Sequence, residues 1–276
     1  MSTVEISSFG MPLNLEVSDS GGEGRPVVLI HGWPLTHRAW DAQATALTDA
    51  GYRVVRYDRR GFGESDKPAE GYEYDTLADD LAGLLVALDL RDVTLVGFSM
   101  GGGEVARYVQ RHGENRLHSV VFAAAVPPFL LTRDDNPEGP FSPEAGKGMK
   151  EALSAGRDEF FPSFVQNFYT AGDEVVASGA VVNDSIAMCL QSDQDAALAC
   201  IDAFGSTDFR EDLKDVTVPT LVLHGDADGI VPFEGSGQRT AATIDGAQTV
   251  LIAGGPHGVN ATHPDEFNKA LLDFLG

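Results

Sequence analysis

A chain of 276 residues with 43% apolar and 22% charged side chains can bury a sizeable core and has the balance of a water-soluble globular protein. Its 19 basic residues against 42 acidic ones give a formal charge of −23, which argues against nucleic acid and anionic membrane surfaces as partners. No segment approaches the roughly 18–20 apolar residues of a membrane span, and the start, MSTVEISSFG, lacks the charged lead and apolar stretch of a secretory signal. The expectation is a cytoplasmic protein.

Taken in chain order, runs near Val4–Ser8 and Leu13–Ser18 read as two opening strands. Val27–Ile30 is a short buried strand that ends at His31-Gly32-Trp33-Pro34. Arg53–Tyr57 is the next, and it runs into Asp58-Arg59-Arg60-Gly61-Phe62-Gly63-Glu64-Ser65. Those glycines do not make a phosphate loop, because the Gly-Lys-Ser/Thr ending is missing. Asp58 and Arg59 are expected to tie this loop to neighbouring elements. Leu77–Leu88 and Glu104–Arg111 carry helical patterns, and Thr94–Gly97 and Val120–Ala124 are further buried strands. Strands alternating with helices predict an α/β fold with a mainly parallel sheet covered on both faces.

The alternation stops between Val126 and Val216. Pro127-Pro128 and Asp134–Pro143 (DDNPEGPFSP) are loop chemistry, and helical segments follow with no convincing strand. Residues 127–215 are therefore expected to form a helical cap on a core made of 1–126 and 216–276. Most of its aromatic residues (Phe160, Phe161, Phe164, Phe168 and Tyr169) are expected to pack the cap onto that core. Phe129, just beyond the strand end, and Ile230 are the candidates for lining a substrate pocket. Strands return at Thr220–His224 and Thr249–Ile252, which brings the expected number to eight.

The most informative stretch is Val93–Gly103, where an apolar run breaks at a serine between glycines and restarts as a helix. Gly97-Phe98-Ser99-Met100-Gly101 matches G-x-S-x-G, a turn that holds a serine hydroxyl out of the sheet toward a base. The turn is strained and crowded, so its flanking positions must be nearly free of side chain. By itself the pattern is weak in a glycine-rich chain; between a strand and a helix it is strong. Such a serine needs an acid and a base downstream in the order Ser…Asp…His. Asp226 and Asp228 both follow the 220–224 strand, and local sequence does not choose between them. His257, in Gly254-Gly255-Pro256-His257-Gly258 after the last strand, is the candidate base. His263 precedes Pro264-Asp265-Glu266 and reads as a helix cap instead. The backbone N–H groups of Trp33 and Met100 are the candidate oxyanion donors, since Pro34 has none to give.

Cys189 and Cys200 are the two cysteines. Placed on one helix they would stand about 16 Å apart at 1.5 Å per residue, too far for a disulfide. Neither has a neighbour at metal-ligand spacing, so no metal site is expected.

With these residues in view, the chain resembles the α/β-hydrolases, and within them the bacterial cofactor-free chloroperoxidases, bromoperoxidases and aryl esterases. HGWP at 31–34, YDRRGFGES at 57–65, VGFSMGGGE at 96–104, HGDADGIVP at 224–232 and GPHG at 255–258 carry the likeness over nearly the whole chain. The resemblance implies an eight-stranded α/β-hydrolase fold and a Ser99–His257–Asp228 triad. Asp228 is preferred because the family's acid lies four residues beyond the strand's terminal histidine. The resemblance also implies a small ester or carboxylic acid as substrate, hydrogen peroxide as an alternative to water, no cofactor, and a homo-oligomer.

Overall fold

The computed structural model describes residues 2–8 and 10–276. Strands β1 (Ser2–Ser8) and β2 (Met11–Asp19) pair antiparallel at one edge of a sheet. The parallel part follows with β3 (Pro26–Ile30), β4 (Arg53–Tyr57), β5 (Val93–Phe98), β6 (Leu117–Ala123), β9 (Thr220–Gly225) and β10 (Gln248–Ile252). The eight strands lie in the order β1-β2-β4-β3-β5-β6-β9-β10, as the sequence pattern predicts in number and place.

All six residues of β5 and of β9 are buried, so both faces of the sheet centre are covered. Two helix groups supply the cover. Helices α2 (Tyr74–Ala87) and α3 (Met100–His112) pack together, as do α1 (Asp41–Asp49), α9 (Val259–Thr262) and α10 (Pro264–Leu275).

The strand order fixes where a site can form. From β3 the chain crosses to β4 on one side, then returns past β3 to β5 on the other. The loops leaving the carboxyl ends of β3 and β5 therefore diverge, and the crevice between them is the topological switch point where open α/β sheets bind ligands. Ile30 pairs with Gly97 in the register of these two strands. That register sets the HGWP loop beside Ser99.

Between β6 and β9 come four helices: α4 (Pro143–Ala155), α5 (Arg157–Phe168), α6 (Gly179–Leu190) and α7 (Gln194–Ser206). Their starts are set locally. Ser142, Ser178 and Asp193 accept hydrogen bonds from the N–H groups of Ala145, Val181 and Ala196, and Pro143 opens α4 where its missing N–H costs nothing.

One sequence expectation changes here. A small antiparallel hairpin, β7 (Thr170–Ala171) with β8 (Glu174–Val175), interrupts the helical stretch where no strand was expected. Strands of two residues are too short to show any periodicity. The cysteines lie on different helices, Cys189 on α6 and Cys200 on α7, divided by the turn before Asp193. Both thiols are free and buried, and burial pushes the Cys200 thiol up to about 12.

Candidate active site

Ser99 occupies a backbone conformation that side chains avoid, with φ 53° and ψ −119° between β5 and α3. Such a residue is strained by about 1–3 kcal/mol and persists only where its surroundings over-determine it. They do so here. The Ser99 N–H donates to the Ala123 carbonyl at 2.9 Å, and the Ser99 carbonyl accepts from Gly102 at 3.0 Å and Val126 at 3.2 Å. The turn is also crowded to backbone contact. A Cβ on Gly97 would lie 2.4 Å from the Gly101 carbonyl oxygen, and one on Gly101 would lie 2.6 Å from that of Ile30. Glycine is required at both positions because backbone passes where a side chain would stand.

The hydroxyl thus presented meets a row of side chains from two distant loops. Ser99 Oγ is 2.9 Å from His257 Nε2, and His257 Nδ1 is 2.7 Å from Asp228 Oδ2. A carboxylate only accepts, so Nδ1 carries the proton and Nε2 turns its lone pair to the serine. Asp228 is held from four directions. Its Oδ1 accepts the N–H groups of Ile230 at 2.9 Å and Val231 at 2.8 Å. Its Oδ2 faces His257 and, at 3.2 Å, His224 Nε2. Burial alone would raise the Asp228 carboxyl; charge on His257 and hydrogen bonds from His224 and His257 outweigh it and hold the group well below the usual carboxylate range.

Asp226, two residues earlier, does different work. Its Oδ1 accepts the Gly254 N–H at 2.6 Å, which ties the β9 and β10 loops together at the surface. His263 precedes Pro264 at the start of α10, its ring nitrogen 2.9 Å from Thr262, away from the serine.

Met100 is the first residue of α3, where backbone amides have no helical acceptor. Among the described residues neither its N–H nor that of Trp33 finds a protein acceptor. Both donors are thus left without a protein acceptor, one of them at a helix N-terminus, where negative charge is favoured.

The HGWP loop that carries Trp33 is fixed from beneath. Arg59 donates to the His31 carbonyl at 2.9 Å and to Glu104, on α3, at 2.8 Å, while its own N–H donates to His31 Nε2 at 3.0 Å. Burial, with help from the Arg59 charge, pushes the His31 imidazole down to about 3. It stays neutral, and its Nδ1–H is free to donate to the Gly32 carbonyl at 2.9 Å. The buried Arg59–Glu104 pair therefore joins the donor loop to the helix behind the serine. Arg59→Met strands the Glu104 carboxylate, and a destabilisation of about 3–5 kcal/mol is expected in urea unfolding, with much of it regained in Arg59→Met/Glu104→Leu. A double variant no more stable than the single one would contradict this.

A cavity of about 320 Å³ opens over Ser99 and His257, lined by Trp33 and Ile230 among others. Phe164 on α5, Phe204 on α7, Met149 on α4 and Phe141 just before α4 complete its apolar wall. Phe129 is a correction: it does not line the cavity. Its ring is buried beneath the Arg210 guanidinium at 5.2 Å and that of Arg133 at 6.0 Å, and Leu130 next to it faces the cavity instead. Of the other aromatics, Phe161 is buried against Trp33, and Phe168 packs its ring on His257 at 4.8 Å. Sequence reasoning gave no role to His224, Phe141 or Phe204. The first was visible as the end of a buried strand; the other two become neighbours of Ser99 only through the folding of the insertion.

A single face of this molecule thus joins an α/β sheet switch point, a serine on a strained turn, an imidazole–carboxylate pair and two free amides, the layout of a hydrolase. A family model described as the alpha/beta hydrolase fold matches residues 25–264, and the chain belongs to that family. It is similar to a non-heme chloroperoxidase of Kitasatospora aureofaciens, 45% identical with 92% of this chain and 93% of that one covered. It is also similar to a bifunctional esterase/perhydrolase of Acinetobacter calcoaceticus, at 35% identity over 93% and 94% of the two chains. The crystal structure of a bromoperoxidase from Bacillus anthracis superposes with a TM-score of 0.96 at 48% identity, covering 99% of each chain.

Proposed function

We propose that the protein is a serine hydrolase that cleaves small carboxylic esters, aryl esters among them, through an acyl-serine. The observation that carries this reading is the continuous row from Ser99 Oγ through His257 to Asp228, at 2.9 and 2.7 Å, beside two amides without acceptors. His257 takes the Ser99 proton as Oγ attacks the ester carbonyl, and Asp228 steadies the resulting imidazolium. The N–H groups of Trp33 and Met100 take the oxyanion, a contribution of about 2.7–4 kcal/mol per donor in comparable sites. The alcohol leaves with the proton from His257. Water then attacks the acyl group, giving its proton to His257, and Ser99 recovers that proton as the acid departs. The apolar cavity suits a short acyl or aryl group, with residues 127–215 acting as its cap.

The same second step accepts hydrogen peroxide. Peroxide is more acidic than water and small enough for the same position, and its attack on the acyl-serine gives a peracid in place of the acid. The carbonyl of Trp33 has no hydrogen bond to a described residue, and in this reading it accepts a hydrogen bond from the second peroxide O–H, whose proton stays on the peracid. The released peracid oxidises halide in solution, which accords with the names of the chloroperoxidase and esterase/perhydrolase relatives. Ester hydrolysis is the main reaction and perhydrolysis the side reaction. Bromination of monochlorodimedone in acetate with peroxide is expected to exceed that of Ser99→Ala and to withstand a chelator. No excess over the alanine variant would end the perhydrolysis reading, and loss on chelation would require a metal that it does not include.

A further inference from the structure

A second and larger hollow, about 720 Å³, lies on the outer side of the insertion between α4 and α7. Helix α4 turns Ala145 and Met149 toward the cavity over Ser99, and Gly146, Lys150 and Ser154 toward the outer groove. Helix α7 divides in the same way, with Phe204 inside and Ile201, Asp202 and Gly205 outside. The two helices are thus a wall between two spaces. One residue lines both of them, and that residue is Phe141.

The construction around Phe141 separates a fixed backbone from a ring in a slot. Its N–H donates to the Leu130 carbonyl and its carbonyl accepts from Thr132, each at 2.9 Å. The ring lies between two glycines, one on each helix. A Cβ on Gly205 would stand 2.8 Å from Phe141 Cε1, and one on Gly146 would stand 3.0 Å from the same atom. Side chains at either position would crowd the ring out of its slot. Lys150 on α4 and Asp202 on α7 form an ion pair at 2.5 Å across the groove, which ties the helices to each other. With backbone pinned and helices joined, the partition between the spaces is the aromatic ring itself, attached through two rotatable bonds.

We propose that Phe141 is the residue that sets the length of substrate this site accepts, and that the groove between α4 and α7 is the seat for the far end of a longer unbranched alkyl arm. This rests on the ester-hydrolase reading above. The inner cavity of about 320 Å³ holds a short ester, and a longer arm gains further apolar contact by passing through the wall. The thinnest place in that wall is one side chain wide, and beyond it the groove offers Leu131, Ile201 and Ala155 as apolar contact. Each methylene that reaches such a surface favours the longer ester by up to about fourfold.

The test compares kcat/KM along two series, p-nitrophenyl esters from acetate to decanoate and acetate esters of alcohols of the same lengths. The quantity read is the ratio of the longest to the shortest member. In Phe141→Ala that ratio is expected to rise at least about tenfold over wild type in one series, which identifies the arm as acyl or alcohol. Placing a tryptophan in the groove, as Phe141→Ala/Ser154→Trp, is expected to reverse most of the gain. Phe141→Leu serves as a second opening variant with less loss of packing, and cooperative thermal unfolding checks that each is folded. An unchanged ratio in folded Phe141→Ala and Phe141→Leu overturns the partition. A gain that Ser154→Trp leaves intact overturns the groove as the seat. Wild type that is silent on every ester, acetate included, would instead remove the hydrolase reading on which the proposal stands.

Discussion

Ser99→Ala is expected to lower kcat/KM for p-nitrophenyl acetate by about 10⁴- to 10⁶-fold, leaving a slow residue of activity from the oxyanion donors and binding. The substitution removes one oxygen and little else. Alanine retains the Cβ, so the turn at φ 53° is neither relieved nor further strained. The bonds that hold the turn, from Ser99 N–H to Ala123 and from Gly102 and Val126 to the Ser99 carbonyl, are all backbone and survive. A folded variant with an empty nucleophile position is the consequence. His257 then faces a methyl group, and any turnover must come from water activated at a distance. Unfolding in urea should be cooperative with a midpoint close to wild type, which separates loss of chemistry from loss of fold. An alanine variant that hydrolyses the ester as fast as wild type would show that the acyl-serine reading is wrong.

The parts of the molecule legible in the sequence are those set by local physics. Buried runs such as Thr94–Gly97 announce strands because both faces are covered, and a serine between glycines at a strand end marks a tight turn into a helix. The choice between Asp226 and Asp228 was of another kind. Both are carboxylates in one turn after β9, and what separates them is the path of the loop, which turns Asp226 onto Gly254 and Asp228 onto His257. Only the family resemblance pointed to the second. The pocket wall was still less accessible. Phe129 sits just past the end of β6, yet its ring is claimed by Arg210, a partner 81 residues away by numbering (210 − 129). Phe141 and Phe204 reach the cavity from opposite ends of the insertion. A contact between remote segments leaves no periodicity behind, so the aromatic count of the insertion showed that a pocket wall was available without showing which rings built it. Arg59 lies between: its tie to neighbouring elements was expected, but its target, Glu104 behind the serine, required the fold.

Asp228→Asn should cost about 10⁴-fold in kcat, although the side chain keeps its shape. The reason lies in how its four hydrogen bonds are divided. The carboxylate has acceptors on both oxygens: Oδ1 serves the N–H groups of Ile230 and Val231, and Oδ2 serves His257 and His224. An amide has one acceptor oxygen. The two backbone donors are rigid and claim it, which turns the NH₂ toward the imidazoles. His224 Nε2–H retains the Val231 carbonyl at 2.8 Å as acceptor, but His257 has no such alternative and must move its proton from Nδ1 to Nε2. It then offers Ser99 a donor where a base is needed. Asp226→Asn keeps an acceptor for the single Gly254 N–H and touches neither imidazole, so a change of no more than about threefold is expected there. The pH dependence adds a second reading of the same carboxylate. Because Asp228 is held well below the usual carboxylate range, it remains charged through the acid limb of the profile. It therefore adds no proton of its own to that limb, and log kcat/KM is expected to fall below the plateau with a slope no steeper than one. A slope near two would mean that Asp228 protonates in the same range. An Asp226→Asn variant that lost more activity than Asp228→Asn would transfer the acid's role to the neighbouring residue.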